Sequence, residues 1–176
     1  MAILDIVKYP EKSLNQPSAP VDEIDDEVRK LIEDMGETMF HDSGVGLAAP
    51  QVGVNRRIIV YDARAMEEER DPEAREFTAL INPEIVEKSQ TTFISESEGC
   101  LSVVDYRADV KRHDQVNVRA LNIQGKELNF TADGILAVIM QHEIDHLDGI
   151  LFIDRISALK RAMYRKKRLK QLKQEK

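Results

Sequence analysis

From about residue 25 to residue 41, Val28, Leu31, Ile32, Met35 and Met39 recur at helical spacing, and acidic residues crowd the first turn, where the helix dipole favours them. This predicts an amphipathic helix, ended by Gly44 and Gly46, with the stretch through Gln51 read as a loop whose backbone approaches another group closely. Upstream, Pro10, Pro17 and Pro20 interrupt regular structure, so residues 1–24 are expected as an irregular arm around the core. Residues 57–62 and 79–82 are short apolar runs that predict buried strands, separated by the charged stretch 67–76, expected as an exposed loop. Further strands are expected at 91–95, 108–112, 115–121 and 127–130, with a Gly-containing turn at 122–126, so the middle of the chain reads as antiparallel sheet. A second helix is predicted over 133–147 with Gly149 just past its end, and a third from about Ser157 through the basic end of the chain.

Length and charge narrow this picture. A chain of 176 residues is long enough to bury one real core and too short for two ordinary domains and a linker. The expected organisation is a single catalytic domain over 1–155 followed by a basic helical tail over 156–176. Residues 1–154 carry 15 basic and 31 acidic side chains, whereas 155–176 carry 10 basic and one acidic, so the net charge of -7 conceals a separate cationic segment. No apolar run approaches the roughly 18 residues of a membrane span, and no membrane partner is expected. The first residues lack a basic n-region and a long apolar run, and Asp5 and Glu11 come too early for a transit peptide, so export is not expected. The single Cys100 cannot form an internal disulfide, which fits a reducing cytoplasm.

The sharpest chemical feature is Gln141-His142-Glu143-Ile144-Asp145-His146, a His-Glu-x-x-His pattern on the second helix. Side chains four apart on a helix stack one turn above each other, so both imidazoles can reach one ion while Glu143 projects beside it. The competing reading is a structural pair of histidines, although two of the four histidines in the chain fall here. A catalytic centre usually needs a third protein ligand, and downstream only Asp148, Asp154 and Glu175 are offered, none well placed. Upstream lies Cys100, in Glu98-Gly99-Cys100-Leu101-Ser102, read as a tight turn after a strand; a thiolate with two imidazoles suits iron(II), zinc, nickel or cobalt. Taken alone, Cys100 also reads as a small buried hydrophobe or as a nucleophile with a histidine base, but a nucleophile gives no reason for a second histidine. In Gly44-Val45-Gly46-Leu47-Ala48-Ala49-Pro50-Gln51, helix capping and close packing account for the glycines, while Gln51 offers a neutral amide donor of the kind that stabilises oxyanions.

Together GVGLAAPQ at 44–51, EGCLS at 98–102 and QHEIDH at 141–146 resemble the three motifs of the peptide deformylase family, in order, and the resemblance extends over most of residues 1–155. It departs at Val104, where a proline is common, and at Ser97, where a second acid often precedes Glu98. The resemblance implies an α+β fold of antiparallel β-sheets packed around a central metal-binding helix, with an N-terminal and a C-terminal helix. It implies one divalent ion, iron(II) physiologically, bound by Cys100, His142 and His146, with zinc, nickel or cobalt as substitutes. Glu143 becomes the general acid/base that activates the attacking water, and Gln51 with the Leu101 N–H holds the oxyanion as the formyl group leaves formylmethionine at the start of a nascent polypeptide. Val45, Gly46, Glu98, Gly99, Ile135, Val138 and Ile139 are then expected to bind substrate.

Two other classes stay open on the residues alone: a zinc endopeptidase, which would bind metal without Cys100, and a metal-stabilised binding protein without turnover. The basic tail carries Ile156, Leu159, Met163, Leu169 and Leu172, expected as a stripe packed on the domain while the Lys/Arg face meets a polyanion. With a substrate that emerges from the ribosome, and a C-terminal helix found in one subgroup of the family, that polyanion is expected to be ribosomal RNA.

Overall fold

The computed structural model describes residues 2–67 and 75–174. Most of the expected loop at 67–76, and the end of the tail including Glu175, lie outside them. The first helix, α1 (Asp26–His41), starts where Asp25 accepts a hydrogen bond from the Val28 N–H at 2.8 Å, and its apolar stripe Val28, Ile32, Met35 and Met39 is 3% exposed or less. Among the described residues seven strands follow: β1 (Gly46–Ala48), β2 (Ile58–Asp62), β3 (Phe77–Lys88), β4 (Thr92–Cys100), β5 (Val103–His113), β6 (Gln115–Leu121) and β7 (Glu127–Asp133). They build a five-stranded antiparallel sheet in the order β1-β2-β3-β6-β7 and a separate β4-β5 hairpin.

The large sheet is covered on both faces. Ile58 and Val60 point to α1, whereas Ile59 and Tyr61 point to the second helix, α2 (Gly134–Leu147), which is why β2 reads as an unbroken apolar run. Helix α2 is packed among Ala48, Leu80, Val116, Val118 and Ala132 and is buried along its last nine residues. It ends at Gly149, whose φ of +74° carries the chain past Asn15; a Cβ there would lie 2.6 Å from the Asn15 carbonyl oxygen.

Three expectations are corrected. The segment read as a loop at 44–51 contains strand β1, paired with β2 from Gly46↔Tyr61 to Ala48↔Ile59, followed by a 3-10 turn at Ala49–Val52. Its small residues hide the strand because they carry no alternation. Strands β3, β4 and β5 run well beyond 79–82, 91–95 and 108–112, since register shifts and the positive φ of Asn82, Ser97 and Asp105 break the two-residue period. Cys100 accordingly ends a strand rather than sitting in a turn. Finally, the third helix, α3 (Ala158–Gln174), does not dock by an aliphatic stripe: Leu159, Met163 and Leu169 are 71%, 64% and 41% exposed, and the buried residues are Tyr164 and Arg168. Those two are one helical turn apart on a different face from Leu159 and Met163. Among the described residues, no helix is long and apolar enough to cross a membrane.

Candidate active site

Antiparallel pairing brings β4 back over α2, so the end of that strand faces the helix. The Cys100 Sγ and one ring nitrogen each of His142 and His146 lie within 4.8 Å of one another, with Sγ 3.3 Å from His146 Nε2. Tetrahedral coordination at ordinary metal–sulfur and metal–nitrogen lengths separates neighbouring ligand atoms by about 3.5 Å, so the three residues fit one ion. Glu143 Oε2, buried and without a hydrogen-bond partner among the described residues, belongs to this same cluster, which marks it as a place where an ion or water takes part.

The electrostatics agree with a cation. Burial opposes charge on His142, but hydrogen bonds with Cys100 and Glu98 and the charge of Glu143 overcome it and raise its pKa to about 10. The anionic surroundings that hold a proton there equally favour a metal ion. His146 behaves oppositely: burial, then the charges of His142 and Arg112, push it well below 6.5, so it presents a neutral lone pair. Glu143 is raised to about 7, first by burial and then by Glu98 and Asp145, against the pull of His142 and Arg112. A cation in the cluster would lower this value again.

Behind His142 stands a buried ionic chain. His142 Nδ1 lies 3.0 Å from Glu98 Oε1; Arg112 donates Nη2 to the same oxygen at 2.8 Å and Nε to Oε2 at 3.0 Å. Arg112, 2% exposed, also donates to Asp145 at 2.7 Å, and Asp145 is gripped from outside by Arg155. Burial pushes the Glu98 carboxyl up, but the His142 and Arg112 hydrogen bonds and the Arg112 charge prevail and hold it at about 2. Glu98, expected at the substrate cleft, both lines the cavity and hydrogen-bonds His142 and Arg112.

Gln51 is buried on the 3-10 turn. Its Oε1 accepts from the Ala48 N–H at 2.8 Å, which fixes the amide so that Nε2 points to Ser102 Oγ at 3.2 Å and Cys100 Sγ at 3.4 Å. The arm secures both supports, with the Val7 N–H donating to the Gln51 carbonyl and the Tyr9 N–H to the Ser102 carbonyl. A cavity of about 1070 Å³ opens above this arrangement, lined by Val45, Gly46, Gln51, Glu98, Gly99, Cys100, Leu101, Val138, Ile139, His142 and Glu143. His146 lies beneath, 1% exposed. Ile135, on the first turn of α2, is 58% exposed and is not among the residues that line this cavity. Gly46 is required by proximity, since a Cβ there would lie 2.4 Å from Glu143 Oε1.

Arg112, Asp145, Arg155 and Ser102 were not singled out from sequence. Asp145 occupies an unspecified position of the helical pattern, Arg112 reads as the end of a strand, and only folding brings them together. Lys8, Val104, Tyr106 and Arg107 also line the cavity without any local signal.

Comparison with known proteins places this geometry among relatives. A family model described as polypeptide deformylase matches residues 3–162. The chain is 48% identical over 167 residues to the peptide deformylase of Thermodesulfovibrio yellowstonii, covering 95% of this chain and 97% of that one. It is 47% identical over 174 residues to that of Syntrophobacter fumaroxidans, covering 99% and 98%. Among solved structures, it superposes on a peptide deformylase from Legionella pneumophila with a TM-score of 0.85 at 40% identity, over 99% of each chain. It also superposes on the Ehrlichia chaffeensis peptide deformylase in complex with actinonin, with a TM-score of 0.87 at 40% identity over 97% and 98%.

Proposed function

Because this chain belongs to the peptide deformylase family, hydrolases that remove the formyl group from nascent peptides, we propose that Cys100, His142 and His146 hold its metal ion and that Glu143 moves the proton. The observation that carries the reading is the convergence of three ligand atoms, within 4.8 Å of one another, beside the buried carboxyl of Glu143. A divalent ion held there supplies Lewis acidity toward the formyl oxygen and acidifies water. Glu143 takes the proton from the attacking water, and the formyl carbon becomes tetrahedral. Gln51, its amide fixed by Ala48, donates to the developing oxyanion together with the Leu101 N–H. Glu143 then passes its proton to the leaving amine, and formate separates from the free N-terminus.

Val45, Gly46, Gly99, Val138 and Ile139 line the cavity in which the methionine and its neighbours would lie. Glu98 lines the same cavity and acts through His142, and Ile135 has a place at the entrance. We assign iron(II) as the physiological ion, a reading that rests on the family resemblance and on the thiolate–imidazole donor set, which zinc, nickel or cobalt would also satisfy. The remaining parts of the proposal are a catalytic unit over 1–155, a basic tail over 156–176 that contacts ribosomal RNA, and a cytoplasmic setting. Metal analysis of anaerobically purified protein, with formate release from a formyl-methionyl peptide, tests the core of it. Glu143→Gln should keep its metal and lose turnover; near-native activity would refute the role of Glu143. Cys100→Ala should lose the metal, whereas tight binding without the thiol would favour a two-histidine peptidase site.

A further inference from the structure

Helix α3 buries two side chains, Tyr164 and Arg168, and the first lands on the wall of the cavity. Tyr164 is 3% exposed and, with Arg168, forms the buried face of a mostly exposed helix. Its ring stacks on Tyr106 with centroids 4.6 Å apart, and its Oη donates to the Val104 carbonyl at 3.1 Å. Both Val104 and Tyr106 line the cavity, as does Asp105 between them. Asp105 has a φ of +53°, a left-handed conformation that a non-glycine residue keeps only when its neighbours hold it. The stack continues from Tyr106 to Phe152 at 6.2 Å and from Tyr164 to Tyr9 at 5.7 Å, while Arg168 donates to the Tyr9 carbonyl at 3.3 Å. Burial keeps the Tyr164 hydroxyl protonated, its pKa raised to about 12, so the donor persists across the working pH range.

We infer that Tyr164 is a positioning residue for substrate: from α3 it clamps the 103–107 wall of the cleft in the shape that receives the peptide beyond the formylmethionine. This deepens the deformylase reading and rests on it. Tyr164 forms no stacked or hydrogen-bonded pair with Glu143 or a proposed ligand; its stack reaches His142 only through two further rings, Tyr106 and Phe152, the last 6.1 Å from the His142 ring. Its loss should therefore weaken binding of an extended substrate rather than slow the chemical step. Removing both the stack and the hydrogen bond should raise KM by about fivefold, and removing the hydrogen bond alone by about twofold.

The test uses the metal-loaded full chain with formyl-Met-Ala-Ser, alongside amide hydrogen exchange. Tyr164→Leu is expected to raise KM with kcat and metal content unchanged, and to lose exchange protection at 103–107 while α2 keeps it. Tyr164→Phe should restore most of the affinity, and Met163→Ala, on the exposed face, should match the native chain. A Tyr164→Leu protein with native KM, or one whose kcat and metal content fall while KM holds, overturns the inference and leaves the deformylase reading intact. If Tyr164→Leu does not fold, the KM and exchange of Tyr164→Phe decide, with native values in both counting against the clamp. Absence of formate release from the native chain overturns the functional reading and this inference with it.

Discussion

Glu143 sits between two histidines on the buried face of α2, and its carboxyl is held up at about 7 because burial penalises its charge more than His142 and Arg112 relieve it. A base must be ionised to accept the water proton, so kcat/KM should fall as pH drops through the Glu143 pKa. With a cation beside it, that acid limb should centre at or below about 7. A pH–rate profile checks this, and an acid limb that survives in the residual activity of Glu143→Gln would assign it to another group. Gly46 sets the room around the same carboxyl. Gly46→Ala would place a methyl 2.4 Å from Oε1 and should lower kcat about a hundredfold, as expected for a reacting group displaced by about an ångström, with metal content retained. At this scale the His-Glu-x-x-His spacing was fully legible, because four residues on a helix define one face irrespective of the surroundings. The reason for Gly46 was not, since nothing in a run of small residues says which side chain it must avoid.

The β4-β5 hairpin and α2 meet through charges rather than aliphatic packing. Arg112 there neutralises Glu98 and Asp145, and removing it would leave two buried carboxylates competing for Arg155 and His142. Arg112→Met should cost about 3–5 kcal/mol in chemical denaturation, the usual penalty for breaking a buried pair from one side. Glu98 supplies a pH signature. Its folded pKa, about 2, lies below its ordinary 4.5, so the stability it contributes is complete above about 4.5 and disappears as pH falls toward 2. Glu98→Gln should flatten the acid unfolding curve across that window while weakening metal retention at neutral pH, measurable by competition with a chelator. Apart from strand β1, helix and strand identities were readable from period and caps, as in α1 with its Asp25 cap. Strand lengths were not: the left-handed residues Asn82, Ser97 and Asp105 interrupt alternation, and that irregularity is tertiary in origin.

For the whole molecule, the last helix carries two faces of different character, a buried one and a cationic one. Tyr164 and Arg168 face inward, whereas Arg165, Lys166, Lys167 and Lys170 are exposed to solvent. Replacing Lys166, Lys167 and Lys170 with Gln should reduce ribosome association at low salt, measured by co-sedimentation, and leave formate release from a free peptide unchanged. Equal association of the variant and the native chain would refute the ribosomal contact. What the sequence by itself determined is the helices, most of the strands and the type of chemistry: helical spacing, apolar runs and the His-Glu-x-x-His pattern are local facts, written in neighbouring residues. Only the tertiary structure decided that Cys100 approaches His146, that Glu98 meets His142, that Ile135 is exposed, and that α3 packs through Tyr164 rather than Leu159. These pairings join residues far apart in the chain, and their partners are selected by which buried charges and rings must be satisfied once the sheet has closed on α2.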